Sequence, residues 1–169
     1  VAFRTAHAIV FDSVQTRERV IAAYGIARAK CHTIHGGADT AWFVPADASA
    51  REAARRRLGL EADDFVVCWS GRISTEKHVD LLVRAAAQMQ TDRIRILLVG
   101  DGPVRSEVAA LIRQQGVEGK VQLCGEQDDV RPFLHASDAF AFPSRCESFG
   151  GALAEAMCCG LPCVGLRPD

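Results

Sequence analysis

Two glutamates carry the clearest chemical signal in this sequence. Glu147 and Glu155 lie eight positions apart, and Gly150 and Gly151 stand between them. An ionised carboxylate only accepts hydrogen bonds, which suits it to the paired hydroxyls of a sugar ring. Glycines at the start of a helix leave backbone amides open to a phosphate or a sugar hydroxyl. The spacing therefore favours a sugar or phosphate site; the alternative is two glutamates on a helix surface beside a packing glycine.

Two basic residues form a second candidate site. Arg72 and Lys77 follow Gly71 in the segment S-G-R-I-S-T-E-K. The guanidinium fork of arginine and the point charge of lysine together suit a diphosphate, and glycine permits a tight turn. Two exposed cations in a loop are also common without any function. Their position after an apolar run favours a ligand site, because α/β folds bind ligands at the carboxyl ends of strands. We expect His78 on the surface of the helix that follows.

Apolar runs alternate with helical patterns, which predicts a parallel sheet with helices on both faces. We expect strands near residues 65, 94, 121, 138 and 161. Pro143 should end the strand before the glutamates, because proline removes a donor of the strand ladder. Ser148 is then expected to cap a helix that runs to about Cys159 and stops at Gly160. The predicted fold class is α/β, and both carboxylates are expected to face one crevice at the end of a strand.

The pattern of the first 40 residues predicts two strands and one helix. A strand at 8–11, a helix at 14–24 closed by Gly25 and a second strand at 31–34 follow from the apolar pattern and the cap signals. Two strands and one helix do not bury a face by themselves. We therefore interpret residues 1–40 as the end of a larger N-terminal domain.

Composition limits the classes of function. Lys and Arg number 20 against 21 Asp and Glu, a net charge of -1, which gives no overall field toward nucleic acid or an anionic membrane. No apolar run reaches transmembrane length and no signal peptide is recognised, so we expect a cytoplasmic protein. The seven cysteines are odd in number and form no C-x-x-C pair, which favours reduced thiols over disulfides and argues against a zinc site.

Two other patterns in the sequence could indicate ligand binding. A helix at 49–58 carries Arg51, Arg55, Arg56 and Arg57; we favour a solvated face, and the alternative is contact with an anionic lipid or phosphate, hence peripheral membrane contact. The G-D-G turn at 100–102 follows a strand, but Arg105 stands where a dinucleotide fingerprint needs its third glycine. A nicotinamide or flavin cofactor is therefore not expected.

The run E-S-F-G-G-A-L-A-E-A-M-C-C-G-L-P resembles the paired-glutamate signature of retaining GT-B glycosyltransferases of family 4, the glycosyl transferases group 1. The resemblance implies that Glu147 meets hydroxyls of the donor sugar and Glu155 the ribose. It places the backbone of the adjoining loop against the sugar and phosphates. The segment from Gly71 to Lys77 resembles the G-R-x-x-x-x-K element of the same family. The donor-binding residues of the glutamate loop would be Ser148, Phe149, Gly150 and Gly151.

In that family the arginine and lysine stabilise the departing diphosphate without a metal ion. The resemblance thus implies catalytic roles for Arg72, Lys77 and Glu147, with no cofactor. The donor would be a nucleoside diphosphate sugar. Its glycosyl group would pass with retention to a hydroxyl of a sugar, lipid or small-molecule acceptor that the N-terminal domain holds. The loop at 126–129 would contact the base, mostly through backbone groups.

The resemblance also implies a domain division. Residues 1–40 would be the tail of the acceptor domain and the interdomain hinge, where relatives carry Asn in place of Gly36. Residues 41–169 would be the donor-binding domain, one half of a GT-B fold, truncated at its C-terminus. Alone, such a fragment is expected to bind without catalysing. A different GT-B-like enzyme, such as a sugar-nucleotide epimerase, and a non-catalytic nucleotide-sugar binding module stay open as alternatives.

Overall fold

The computed structural model describes residues 2–145 and 147–166. The chain divides into two compact units. The described residues up to Ala38 form the smaller unit together with Glu147–Gly151, and the other described residues form the larger unit. The elements in chain order are α1 (Ala2–Thr5), β1 (Ile9–Phe11), α2 (Val14–Tyr24), β2 (Cys31–Thr33), α3 (Ala48–Arg57), β3 (Phe65–Ser70), α4 (Asp80–Gln88), β4 (Ile94–Val99), α5 (Arg105–Gln114), β5 (Val121–Gly125), α6 (Arg131–Ala136), β6 (Ala139–Phe142), α7 (Gly151–Cys158) and β7 (Cys163–Gly165).

The larger unit is built on a five-stranded parallel sheet with the order β5-β4-β3-β6-β7. Within this sheet the first strand in sequence, β3, is the central one. The chain then adds β4 and β5 on one side of β3 and crosses to add β6 and β7 on the other side. The strand order therefore reverses between β3 and β6. In open α/β sheets this switch point is where the carboxyl ends of the strands leave a crevice for ligands.

Side chains from the two faces of the sheet enter two separate cores. Trp69 of β3 packs with Val83 of α4 and Ile112 of α5 on one face. Its neighbour Cys68 packs with residues of α6 and α7, such as Ala156, on the other face. Successive side chains of a strand point to opposite faces, so both faces are buried and covered by helices. The predicted α/β fold, a Rossmann-like parallel sheet with helices on both faces, is confirmed, and all five strands lie near the expected residues.

The smaller unit contains the two remaining strands. β1 and β2 pair in parallel register, from Ile9 opposite Cys31 to Phe11 opposite Thr33. The helix between them has the predicted bounds because both caps are local: the Ser13 hydroxyl accepts a hydrogen bond from the Thr16 amide at 3.1 Å. At the other end Gly25 adopts a left-handed conformation with φ 60°.

The start of α7 differs from the prediction. The helix begins at Gly151, so Ser148 lies three residues before it and is not its N-cap. Gly150 directly precedes the helix with φ 80°, a left-handed conformation that continues no helix back toward Ser148. The predicted end is confirmed: Gly160 has φ 76° and the Leu161 amide donates to the Ala156 carbonyl at 3.1 Å.

The arginines of α3 divide into two pairs, and the predicted solvated face is wrong for the first. Arg55 is only 7% exposed and donates to the carbonyls of Ala136 at 3.1 Å and Asp64 at 2.6 Å. Arg51 forms an ion pair with Asp138 at 2.6 Å. Arg56 and Arg57 are exposed, as predicted. The first pair ties α3 to the segment between α6 and β6.

The cysteines in the described residues are free thiols, namely Cys31, Cys68, Cys124, Cys158, Cys159 and Cys163; Cys146 lies outside the described residues.

Within residues 2–145 and 147–166 no helix has the length and apolar character needed to cross a membrane. In the same ranges no three His, Cys, Asp or Glu side chains are grouped as metal ligands.

Candidate functional site

A cavity of about 600 Å³ lies at the carboxyl ends of β3, β4 and β5. Its size is that of a small-molecule site. Each of the three strands contributes the loop that follows it, and the exposed guanidinium of Arg72 stands in the first of these loops. The lining residues are Gly71, Arg72, Val99, Gly100, Asp101, Gly102, Glu126, Gln127 and Val130.

The loops after β3 and β4 touch each other through their backbones. A β-carbon on Gly100 would lie 1.9 Å from the carbonyl oxygen of Gly71, and one on Gly102 would lie 2.2 Å from that of Ile73. The Ile73 amide also donates to the Asp101 carbonyl at 2.8 Å. Both glycines are therefore required by space, and they fix the cavity wall that carries Arg72. The G-D-G turn was the sequence signal for this contact, although the sequence alone does not reveal its partner.

Lys77 lies further along the same loop, in a 3-10 turn formed by Thr75–Lys77. Among the described site residues, Gly71 and Arg72 line the cavity, whereas Lys77 lies outside its walls. The Lys77 amide donates to the Ser74 carbonyl at 3.0 Å, which closes the turn. The Ser74 hydroxyl donates to the Glu76 carboxylate at 2.7 Å, and this hydrogen bond lowers the pKa of Glu76.

His78 occupies a strained junction, and its predicted place on the helix surface is wrong. It follows the 3-10 turn and precedes α4, with φ 50° and ψ 38°. Non-glycine residues rarely adopt this left-handed conformation. The strain is local to the junction between the turn with Lys77 and the helix that begins at Asp80.

The loop before α7 carries the first glutamate of the motif. Glu147 is half-buried in this loop, and Ser148 and Phe149 are exposed. The ring of Phe149 lies 3.0 Å from the point where a β-carbon on Gly36 would stand. A side chain at Gly36, where the resemblance leads one to expect Asn, would need the Phe149 ring to shift by a few tenths of an ångström.

The second glutamate of the motif lies on α7, where it was predicted. Glu155 is the fifth residue of the helix, in its second turn. The side chain is half-buried, and the desolvation that accompanies burial raises the pKa of its carboxyl. Carboxyl groups whose pKa is raised by burial are frequent at ligand sites.

Sequence reasoning missed a stacked arginine behind the loop after β5. The Arg131 guanidinium lies 3.4 Å from the centre of the Trp42 ring. The carboxylate of Asp129 accepts two hydrogen bonds from the same guanidinium, at 2.9 and 2.7 Å. These hydrogen bonds lower the pKa of Asp129 and raise that of Arg131. Trp42 and Arg131 lie far apart in the sequence, so no local signal connects them.

Comparison with known proteins identifies the family. The family model for glycosyl transferases group 1 matches residues 50–167. This chain belongs to the group 1 glycosyl transferases. The family assignment agrees with the five-stranded parallel sheet.

Curated group 1 relatives cover nearly all of the chain. It is 33% identical to D-inositol 3-phosphate glycosyltransferase 1 of Catenulispora acidiphila, over 94% of the chain and 40% of that protein. It is 35% identical to D-inositol 3-phosphate glycosyltransferase of Mycobacterium tuberculosis, over 94% of the chain and 34% of that protein. The chain thus spans 40% or less of the length of these two relatives.

A solved structure shows the same fold over the whole chain. The crystal structure of Anabaena HepE in complex with UDP-glucose matches with a TM-score of 0.89 and 28% identity. The match covers 99% of this chain and 47% of HepE. This member of group 1 therefore has the fold of one half of a GT-B glycosyltransferase.

Proposed function

We propose that the larger unit is the donor-binding domain of a retaining glycosyltransferase of family 4 and that it binds a nucleoside diphosphate sugar. The single observation that carries the proposal is the exposed guanidinium of Arg72 in a cavity of about 600 Å³ at the carboxyl ends of three strands. An arginine fork at the edge of a parallel sheet suits a diphosphate. The relation to HepE, whose complex contains UDP-glucose, makes UDP-sugars the first donors to test.

In the whole protein, the bond between the anomeric carbon of the sugar and the diphosphate oxygen breaks. Negative charge grows on the diphosphate as this bond breaks. The anomeric carbon bonds to the acceptor oxygen on the same face, and the proton of the acceptor hydroxyl passes to the leaving diphosphate. Arg72 and Lys77 stabilise this charge, so that no metal ion is required. Catalysis in this scheme is mainly electrostatic.

The glutamate motif orients the rest of the donor. Glu147 accepts hydrogen bonds from sugar hydroxyls, and Glu155 accepts from the ribose. The backbone of the loop that contains Ser148, Phe149 and the two glycines faces the sugar and the phosphates. These roles rest on the residues that match the family motif, and Glu155 adds the half-buried carboxylate described above.

The acceptor would be a sugar, a lipid or a small molecule that the N-terminal domain of the whole protein holds. The two curated relatives are named for D-inositol 3-phosphate, so this phosphorylated polyol is the first acceptor to assay. Any contact of the intact protein with anionic headgroups would fall to Arg56 and Arg57, because Arg51 and Arg55 are engaged within the domain. We place the protein in the cytoplasm.

Calorimetric titration tests the donor site. UDP-, GDP- and ADP-glucose are titrated into the chain with a chelator present, and into Arg72→Ala and Arg113→Ala. Arg113 is an exposed arginine in the last turn of α5, so its variant is a matched control. We expect one donor to bind despite the chelator, with affinity about tenfold or more lower in Arg72→Ala and unchanged in Arg113→Ala. Equal affinity in both variants would exclude Arg72 from the site.

A further inference from the structure

Trp42 is a large aromatic residue that belongs to neither of the two hydrophobic cores. Its side chain is 52% exposed, whereas Trp69 is 1% exposed and central to the core. The exposed ring is held in one place by the Arg131 guanidinium, 3.4 Å from the ring centre. A guanidinium over an indole face is a favourable cation–π pair. The ring therefore orders a cation rather than filling a hydrophobic space.

The same guanidinium is fixed along its edge by a carboxylate. Asp129 accepts from Nε and from an Nη of Arg131 at 2.9 and 2.7 Å, and also from the Arg131 amide at 3.0 Å. The planar fork of arginine matches a carboxylate in this paired geometry, and its flat face remains available for stacking. Trp42 at the face and Asp129 at the edge of the Arg131 guanidinium form one connected group, called the indole stack below.

The segment that carries Trp42 is itself anchored to the larger unit. The Asp39 carboxylate accepts from the amides of Ala41 at 2.9 Å and Trp42 at 3.2 Å. Two residues later, the Val44 carbonyl accepts from the His135 ring at 3.1 Å, on the far end of α6. Hydrogen bonds therefore hold the backbone on both sides of Trp42, and this fixes the position of the indole beside the arginine.

The other end of the indole stack lies beside residues that line the cavity. Asp129 belongs to the loop after β5, and its neighbours Gln127 and Val130 line the cavity with Arg72. The Gln127 side chain is in turn bonded to the Cys124 carbonyl at 2.8 Å, so the loop is held at both ends. Asp129 thus lies between lining residues of the cavity, namely Gln127 and Val130.

We propose that the indole stack is a positioning device for the nucleoside part of the donor. It holds the loop after β5 in the shape that receives the base and ribose, while Arg72 receives the diphosphate. The three residues act through the loop and are positioning residues, not catalytic ones. This inference rests on the proposed function, because it assumes that a nucleoside diphosphate enters the cavity.

Binding of inorganic pyrophosphate reports on the diphosphate part of the cavity without the nucleoside part. Pyrophosphate carries the charge that Arg72 would bind, but it has neither base nor ribose. Loss of the indole stack should therefore weaken the binding of UDP and leave that of pyrophosphate unchanged. A general loss of structure would weaken both ligands together, so the ratio of the two affinities is the decisive quantity.

The experiment titrates UDP and pyrophosphate into the parent chain, Trp42→Leu, Trp42→Phe, Arg131→Met and Arg113→Met. Arg113→Met is the matched control for Arg131→Met, and Trp42→Phe tests rescue by a smaller aromatic face. We expect UDP affinity to fall about tenfold in Trp42→Leu and Arg131→Met and less than about threefold in Trp42→Phe. Pyrophosphate affinity should be equal in all five proteins.

The outcomes distinguish this inference from the proposed function. If UDP binds the parent, Trp42→Leu and Arg131→Met equally, the indole stack has no positioning role and the proposed function stands. If both ligands weaken in parallel, the stack is only structural and the inference is overturned. If neither ligand binds the parent, the proposed donor site itself fails, and the inference fails with it. Arg131→Met decides the question if Trp42→Leu does not fold.

Discussion

At the scale of single residues, a group that favours ligand binding can lower the stability of the free protein. Glu155 is the clearest example, because its carboxyl is half-buried and burial raises its pKa. A carboxyl with a raised pKa favours the folded state when it is protonated. That contribution is present below the ordinary pKa of glutamate and is lost as the pH rises through the folded value. At neutral pH the charged side chain therefore lowers the stability of the free protein.

Glu155→Gln should consequently raise the melting temperature at pH 7.5 and have less effect at pH 4. We expect a rise of about 1–2 °C, since solvent screens much of the cost at a half-exposed group. The same change should weaken UDP binding about tenfold, because a hydrogen bond to a charged acceptor is lost. Thermal unfolding at the two pH values and calorimetry with UDP measure both effects. Glu118→Gln, at an exposed position, is the control; equal shifts in the two variants would contradict the assignment.

At the scale of elements, local signals were sufficient for most of the fold. The helix Val14–Tyr24 was predicted to the residue because Ser13 and Gly25 cap it locally. The five strands of the sheet were predicted from apolar runs. The start of α7 was missed because Ser148 has the chemistry of a cap, but the left-handed Gly150 stands between it and the helix. Cap chemistry alone does not fix the backbone path.

Features that depend on distant partners were not predictable. The burial of Arg55 comes from carbonyls at Ala136 and Asp64, whose positions only the folded chain reveals. The Trp42–Arg131 contact has the same origin. For the candidate site, the sequence predicted Gly71 and Arg72 at the carboxyl end of β3, and the structure adds the cavity around them. The site roles of all these residues, and of Lys77, Glu147 and Glu155, stay predictions.

The arginine pairs of α3 give a direct test of element packing. Arg55→Ala removes a buried guanidinium and leaves the carbonyls of Ala136, Glu61 and Asp64 without its hydrogen bonds. We expect a loss of about 3 kcal/mol in the free energy of unfolding. Arg56→Ala, one residue along the same helix, removes an exposed arginine and should cost less than about 0.5 kcal/mol. Urea unfolding of both variants measures the difference; similar losses would mean that α3 is not fastened through Arg55.

At the scale of the whole molecule, the two units should differ in local stability. The strands β3 and β4 pair over six residues and are buried between two layers of helices. The smaller unit has a two-stranded sheet of three residue pairs. Amides of β3 and β4 should therefore exchange with solvent about 100-fold or more slowly than those of β1 and β2. Hydrogen-exchange mass spectrometry measures this; equal rates would indicate that the chain unfolds as one cooperative unit.

The close approach of the loops after β3 and β4 bears on how such a site can be redesigned. Gly100 stands against the Gly71 carbonyl and Gly102 against the Ile73 carbonyl. A combinatorial library that randomises one of these loops would mostly yield backbones that no longer fit the other. Joint libraries, in which both loops vary together and the two glycines are kept, would sample new donor preferences at a much higher yield of folded protein.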